Sequence, residues 1–125
     1  LSDEDLEWIY PELSFDAACA ALLAKATAKL TIITKGAEGA IGYCKGYKVI
    51  VPAYPVERLI DTVGAGDTFM GTVLSGLNDA GLLTQTALSE LTQAGLHDLL
   101  SRAAKAAAIN CGREGCDPPS AAELL

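Results

Sequence analysis

The sequence predicts an α/β layered fold: a helix pair, then three strands, then further helices, with one helical face. Apolar residues recur at helical spacing at both ends of the chain. Between them lies a β-branched run too short for a helix, and glycine and proline mark each change of pattern. Helices and strands that segregate in this way pack as layers around one core. A chain of 125 residues, half of them hydrophobic, suffices for a single such domain.

Ser2 followed three positions later by Asp5 resembles a capping box with Asp in place of Glu, and predicts a short acidic helix to about Tyr10, ended by Pro11. Ser14 then caps "FDAACAALLAKAT", where Phe15, Ala18, Leu22 and Leu23 recur at helical spacing, so a packed helix is predicted to about Ala28. From Leu30, "LTIITKG" reads as a buried strand stopped by glycine. "EGAIGYC" and "YKVIVPAYPV", joined through "KGYK", read as a hairpin, and Pro52 and Pro55 end the sheet because neither can donate to a ladder. "TFMGTVLSGLNDAGL" places Phe69, Val73, Leu74 and Leu77 on one helical face, with Gly81 as the stop. A further helix is predicted over "TQTALSELTQAG". "HDLLSRAAKAAAINC" predicts a long alanine-rich helix whose small side chains let another backbone or a flat ligand come close. The tail "GREGCDPPSAAELL" is loop, then a turn capped by Ser120. There is no internal repeat, low-complexity tract or linker.

Charge and composition narrow the function classes. A formal charge of -7, with nine Lys and Arg residues scattered along the chain, argues against nucleic acid as a partner. No apolar run approaches the roughly 18 residues of a membrane span, and the N-terminus lacks the pattern of a signal peptide, so the cytoplasm is the expected compartment. The opening "LSDEDLEWIY" has no initiator methionine and starts inside a helix signal, which implies chain upstream. Cys19, Cys44, Cys111 and Cys116 form no Cys-x-x-Cys pair, and His97 is far from most of them, so zinc lacks its usual spacing. Free buried thiols are expected; a Cys111–Cys116 disulfide is the alternative, against which a reducing cytosol argues.

Residues 61–69, "DTVGAGDTF", carry the chemistry. Gly64 and Gly66 allow a sharp turn and let a ligand approach the amides. The helix behind them starts with unpaired N–H groups at the positive end of its dipole, a place for a phosphate or a phosphoryl group in transfer. In the first turn the dipole stabilises an ionised Asp67 by roughly 0.3–1 kcal/mol. Such a carboxylate could take the proton of an attacking alcohol, although an acidic residue there is equally ordinary helix-start chemistry. The motif is not a P-loop, because Asp67 stands where that loop needs lysine. "TKGAEG", comprising Thr34, Lys35, Gly36, Ala37, Glu38 and Gly39, lies at the end of the buried strand, where α/β sheets place ligands, or is simply a turn between strands. Lys35 reads as a solvated turn residue before a phosphate ligand, and Arg113 as either a loop charge or a ligand.

With these residues in hand, the span from about Lys29 to Pro119 resembles the C-terminal part of a ribokinase or pfkB family sugar kinase. "DTVGAGDTF" is close to that family's C-terminal signature, "TKGAEG" is a supporting match, and "LSDEDLEWI" with "INCGREGCDPPSAAEL" is most similar to the fructokinase branch. The resemblance implies that residues 1–125 are the C-terminal portion of a ribokinase-like three-layer fold, a sheet with flanking helices. The N-terminal part, with most of the sugar pocket and the lid, would lie outside this chain. It implies ATP-dependent phosphorylation of a sugar hydroxyl, fructose foremost, with Asp67 as general base and the amides of Gly64, Ala65 and Gly66 as anion hole. Residues 34–39 would line the nucleotide, with Gly66 and Asp67 near its phosphates. Asp61, Val63, Asn110, Arg113 and Gly115 match positions that bind a monovalent cation such as K+, mostly through main-chain carbonyls. Mg2+ would accompany ATP, and the full-length protein would be a homodimer. Ala104 stands where relatives place an asparagine near adenine, and an apparent extra residue around Pro118 and Pro119 removes the match at Ser120. A non-catalytic nucleotide-binding protein is the alternative, against which an intact Asp67 speaks, as is a kinase for ribose, a nucleoside or a keto-deoxy sugar acid. With most of the sugar pocket absent, residues 1–125 alone are expected to turn over sugar poorly or not at all.

Overall fold

The structure, a computed structural model, describes residues 1–125. Helix α1 (Asp3–Ile9) starts with a reciprocal cap: the Asp5 amide donates to Ser2 Oγ at 3.0 Å, and the Ser2 amide donates to the Asp5 carboxylate at 2.9 Å. Ser14 caps α2 (Phe15–Lys25) by accepting from the Ala17 amide. That helix ends three residues before the expected Ala28, because Ala26 turns extended and leads the chain toward β1 (Leu30–Thr34). Strands β2 (Ala40–Cys44) and β3 (Tyr47–Val51) complete an antiparallel sheet in the order β1-β2-β3. Lys45 and Gly46 join them with φ of 52° and 82°, the left-handed pair that lets a two-residue loop follow the strand twist.

Helix α3 (Ala65–Asp79) stops as the sequence predicts. The Leu82 amide reaches the Leu77 carbonyl at 2.7 Å and the Gly81 amide reaches Asn78 at 2.9 Å, so the last carbonyls are satisfied. The helix expected over "TQTALSELTQAG" does not form. Only a 3₁₀ turn, Ala87–Glu90, is present, and Thr92 accepts from the Gly95 amide at 3.0 Å to start α4 (Gln93–Cys111). A capping hydroxyl thus divides a stretch whose composition reads as continuous helix. A final 3₁₀ turn, Ala121–Leu124, is capped by Ser120, whose amide and hydroxyl both donate to Glu123.

Two apolar clusters lie on opposite sides of the sheet. Ile32, Val49 and Val51 pack with Phe69, Val73 and Leu77 of α3 and with Leu96 and Leu100 of α4. Ile33, one position on, packs with Leu6 of α1 and with Ala18 and Cys19 of α2. Adjacent strand residues point to opposite faces, so helices flank the sheet on both sides, which corrects the single helical face expected from element order. Enclosing each of Ile33, Leu96 and Leu100 contributes roughly 1.5–3 kcal/mol. The α1–α2 layer stops short of β3, where Ile50 is 61% exposed. Leu74, expected on the apolar face of α3, is 51% exposed, because one residue past Val73 the helix has turned by roughly 100°. All four cysteines are free thiols; Cys19 and Cys44 are buried, but Cys116 is exposed, contrary to the expectation of buried thiols.

Candidate functional site

The site is built on the start of α3. Gly64 takes the left-handed conformation with φ 76°, and its carbonyl accepts from the Thr68 amide at 2.8 Å. The Ala65 amide donates to Thr62 at 3.2 Å, whereas the amides of Gly64, Gly66 and Asp67 donate to no group of the protein. Three unpaired N–H groups therefore stand at the positive end of a 15-residue helix. Of the three amides expected to receive an anion, those of Gly64 and Gly66 are free and that of Ala65 is engaged locally; the Asp67 amide is free beside them. The Asp67 side chain is exposed in the first helical turn.

Side chains from two distant segments hold the approach to this turn. The Asp61 carboxylate accepts from the Val63 amide at 2.9 Å and from the Gly115 amide at 3.1 Å. These two N–H groups, Val63 first, hold its carboxyl below the usual carboxylate range. Asn110, fully enclosed, donates to the Val63 carbonyl at 2.8 Å and accepts from the Asp117 amide at 2.9 Å. Arg113 pairs with Glu123 and Asp117. Asp61, Val63, Asn110 and Gly115, expected together as cation ligands, do come together, but both side chains among them are engaged by protein groups. The closing loop, which joins α4 to the final 3₁₀ turn, crosses the turn so tightly that a methyl at Gly64 would stand 2.2 Å from Cys116 Sγ.

The other glycine cluster forms a 3₁₀ turn, Gly36–Glu38. Its backbone is paired partly within itself, Lys35 N–H to Gly39, Glu38 N–H to Lys35 and Gly39 N–H to Gly36, while the Gly36 and Ala37 amides donate to no group of the protein. The Lys35 ammonium bonds Glu38 at 2.7 Å and lies 4.7 Å from the centre of the Phe15 ring.

A cleft of about 580 Å³ runs between the two glycine turns. Thr34, Gly36, Ala37 and Gly39 line one side, Ala65 and Gly66 the other, and Ala104, Ala107, Ala108 and Cys111 of α4 form part of its wall. Lys35, Glu38 and Asp67, also expected at the nucleotide, do not line it. Asp67 instead lines a second cavity of about 330 Å³, with Thr68, Thr72, Arg102 and Cys116. Burial, then the charge of Asp61, pushes the Cys111 thiol up, so it stays neutral on the cleft wall. Sequence reasoning missed Tyr54, Val56 and Leu59, which also line the cleft. The signal was present: apolar residues in a proline-interrupted stretch that can join neither strand nor helix.

A family profile for pfkB family carbohydrate kinases matches residues 1–123. The chain belongs to the pfkB family. It is 46% identical over 97 residues, 78% of this chain and 29% of the relative, to a fructokinase of Rhizobium leguminosarum bv. trifolii. Among solved structures it is similar to a Vibrio cholerae fructokinase bound to fructose, ADP and calcium ion, with a TM-score of 0.77 and 28% identity over 98% of this chain and 38% of that one. It is also similar to an aminoimidazole riboside kinase of Salmonella enterica complexed with aminoimidazole riboside and an ATP analogue, with a TM-score of 0.73 and 26% identity over 92% of this chain and 35% of that one. This pfkB chain thus spans about a third of the length of the relatives it matches, and its fold is ribokinase-like. No helix in it is long and apolar enough to cross a membrane.

Proposed function

We propose that this chain is the nucleotide-binding and base-bearing part of an ATP-dependent sugar kinase acting on fructose. The observation that carries the reading is that consecutive residues, Gly66 and Asp67, line different cavities. The nucleotide would lie along the larger cleft, with its base against the alanine wall of α4 and its terminal phosphate at the Gly66 and Asp67 amides. Asp67 would meet the acceptor hydroxyl from the other side, accept its proton and leave the oxygen free to attack phosphorus. The free amides would stabilise the charge on the transferring group. Fructose is supported by the fructokinase relatives.

The ions follow the same reasoning. No three His, Cys, Asp or Glu residues come together in this chain, so Mg2+ would be held chiefly by the phosphates of ATP. A monovalent cation beside residues 61–63 and 113–115 would meet chiefly main-chain carbonyls, because Asp61, Asn110 and Arg113 already turn their side chains to protein partners. A cytoplasmic, homodimeric full-length enzyme, with the rest of the sugar pocket in its N-terminal part, completes the reading.

In the full-length kinase, Asp67→Asn is expected to lower kcat by roughly 10²-fold or more with fructose and ATP. An unchanged rate removes the base assignment. A nucleoside-type acceptor is the second reading, favoured by the likeness to the aminoimidazole riboside kinase. Rates measured with fructose, ribose and nucleosides side by side decide between the two. Appreciable fructose phosphorylation by residues 1–125 alone would show that the pocket needs no further part.

A further inference from the structure

Val63 immediately precedes the turn that presents the free amides, and both of its backbone groups are held by side chains rather than by backbone. Its N–H donates to Asp61 and its carbonyl accepts from Asn110. Each of those side chains spends its remaining polar atom on the closing loop, Asp61 at Gly115 and Asn110 at Asp117. Asn110 has no exposed surface, so water cannot replace either of its bonds. The Cys111 carbonyl adds the Ile60 and Asp61 amides to the same clamp. Val63 is thus held at both of its backbone groups, while the Gly64, Gly66 and Asp67 amides that follow stay unpaired.

We infer that Asp61 and Asn110 are positioning residues for the transferred phosphoryl group, locking the Val63 peptide so that the Gly66 and Asp67 amides converge on one point. The inference rests on the kinase reading but names residues that touch no substrate. An amide that must meet a phosphate oxygen within hydrogen-bond distance tolerates little displacement. Loosening Val63 therefore weakens recognition of the terminal phosphate while leaving the base and ribose contacts, made elsewhere in the cleft, intact. A residue that merely supports the fold would weaken all nucleotides alike.

The test titrates AMP and AMP-PCP, with magnesium, into the full-length kinase and into its Asn110→Ala variant by calorimetry. The unaltered kinase is expected to prefer the triphosphate analogue. Asn110→Ala is expected to cut that preference about ten-fold, with AMP affinity within about two-fold. If the variant loses its helical circular dichroism, Asp61→Asn takes its place, because it keeps the side-chain volume and removes one acceptor. Hydrogen exchange at the Val63 and Gly115 amides is expected to quicken in Asp61→Asn. A preference left unchanged, an equal loss for both nucleotides, or unaltered exchange overturns the positioning role while the nucleotide site stands. Failure of both nucleotides to bind the unaltered full-length kinase overturns the nucleotide site, and the inference falls with it.

Discussion

The two glycine turns that bound the cleft are held by different parts of the chain. In residues 34–39 the Lys35, Glu38 and Gly39 amides find carbonyls within the turn, those of Gly36 and Ala37 find none, and the charged side chains pair with each other. In residues 61–67 the Val63 and Ala65 amides are paired locally, Asn110 and the closing loop add support from outside, and the Gly64, Gly66 and Asp67 amides are left over. The first turn is braced from within; the second is also held by distant neighbours. Both turns leave amides unpaired, so neither glycine nor a free amide alone marks an anion site; the second turn differs in opening a 15-residue helix, whose dipole favours an anion.

Substitutions at the glycines break this comparison most directly. Gly39 sits at φ 100°, and a methyl there would stand 2.1 Å from the Val51 carbonyl oxygen, which β3 holds in place. Gly39→Ala is expected to cost about 3 kcal/mol or more in chemical denaturation. Gly64→Ala meets a side chain instead, Cys116 Sγ at 2.2 Å and Cβ at 2.8 Å, in a conformation costing an L-residue about 1–2 kcal/mol. A loss near 2 kcal/mol is expected, with Cys116→Gly restoring about half of it in the double variant. No restoration would mean that the closing loop does not bear on the turn.

A smaller effect should follow pH. The Val63 and Gly115 amides lower the folded-state value of the Asp61 carboxyl. Its contribution is therefore complete above the ordinary carboxylate range and is lost as pH falls through the lowered value. Acid should loosen residues 61–67 before residues 34–39, where the carboxylate of Glu38 holds the Lys35 ammonium but no backbone amide. Melting curves and amide exchange between neutral pH and strong acid test this, and Asp61→Asn should flatten that part of the profile. Equal loosening of both turns would remove the distinction between them.

What was legible in the sequence is mostly local. Ser2, Ser14, Thr34 to Gly39, "KG" and Gly81 act on groups a few residues away, so their patterns reveal caps, turns and stops directly. The start of α3, with its glycines and Asp67, is legible for the same reason. Thr92 escaped because a capping hydroxyl inside a helix-favouring stretch gives no sign of which residues it separates. Leu74 escaped because apolar character does not say which arc of a helix is covered. Asp61 and Asn110 stood out only through the family pattern, as cation ligands; their bonds to Val63 and the closing loop link residues some 50 positions apart in sequence.

By itself, the sequence determined the order of helices and strands apart from the stretch divided at Thr92, the glycine turn ahead of α3 and the carboxylate at its first turn. Each depends on backbone sterics and hydrogen bonds over one helical turn or one hairpin. Only the tertiary structure decided which amides remain unpaired, that Lys35 spends its charge on Glu38, and that Gly66 and Asp67 line separate cavities. Those outcomes turn on which distant groups arrive within about 3 Å, a matter of how the layers pack rather than of any local pattern.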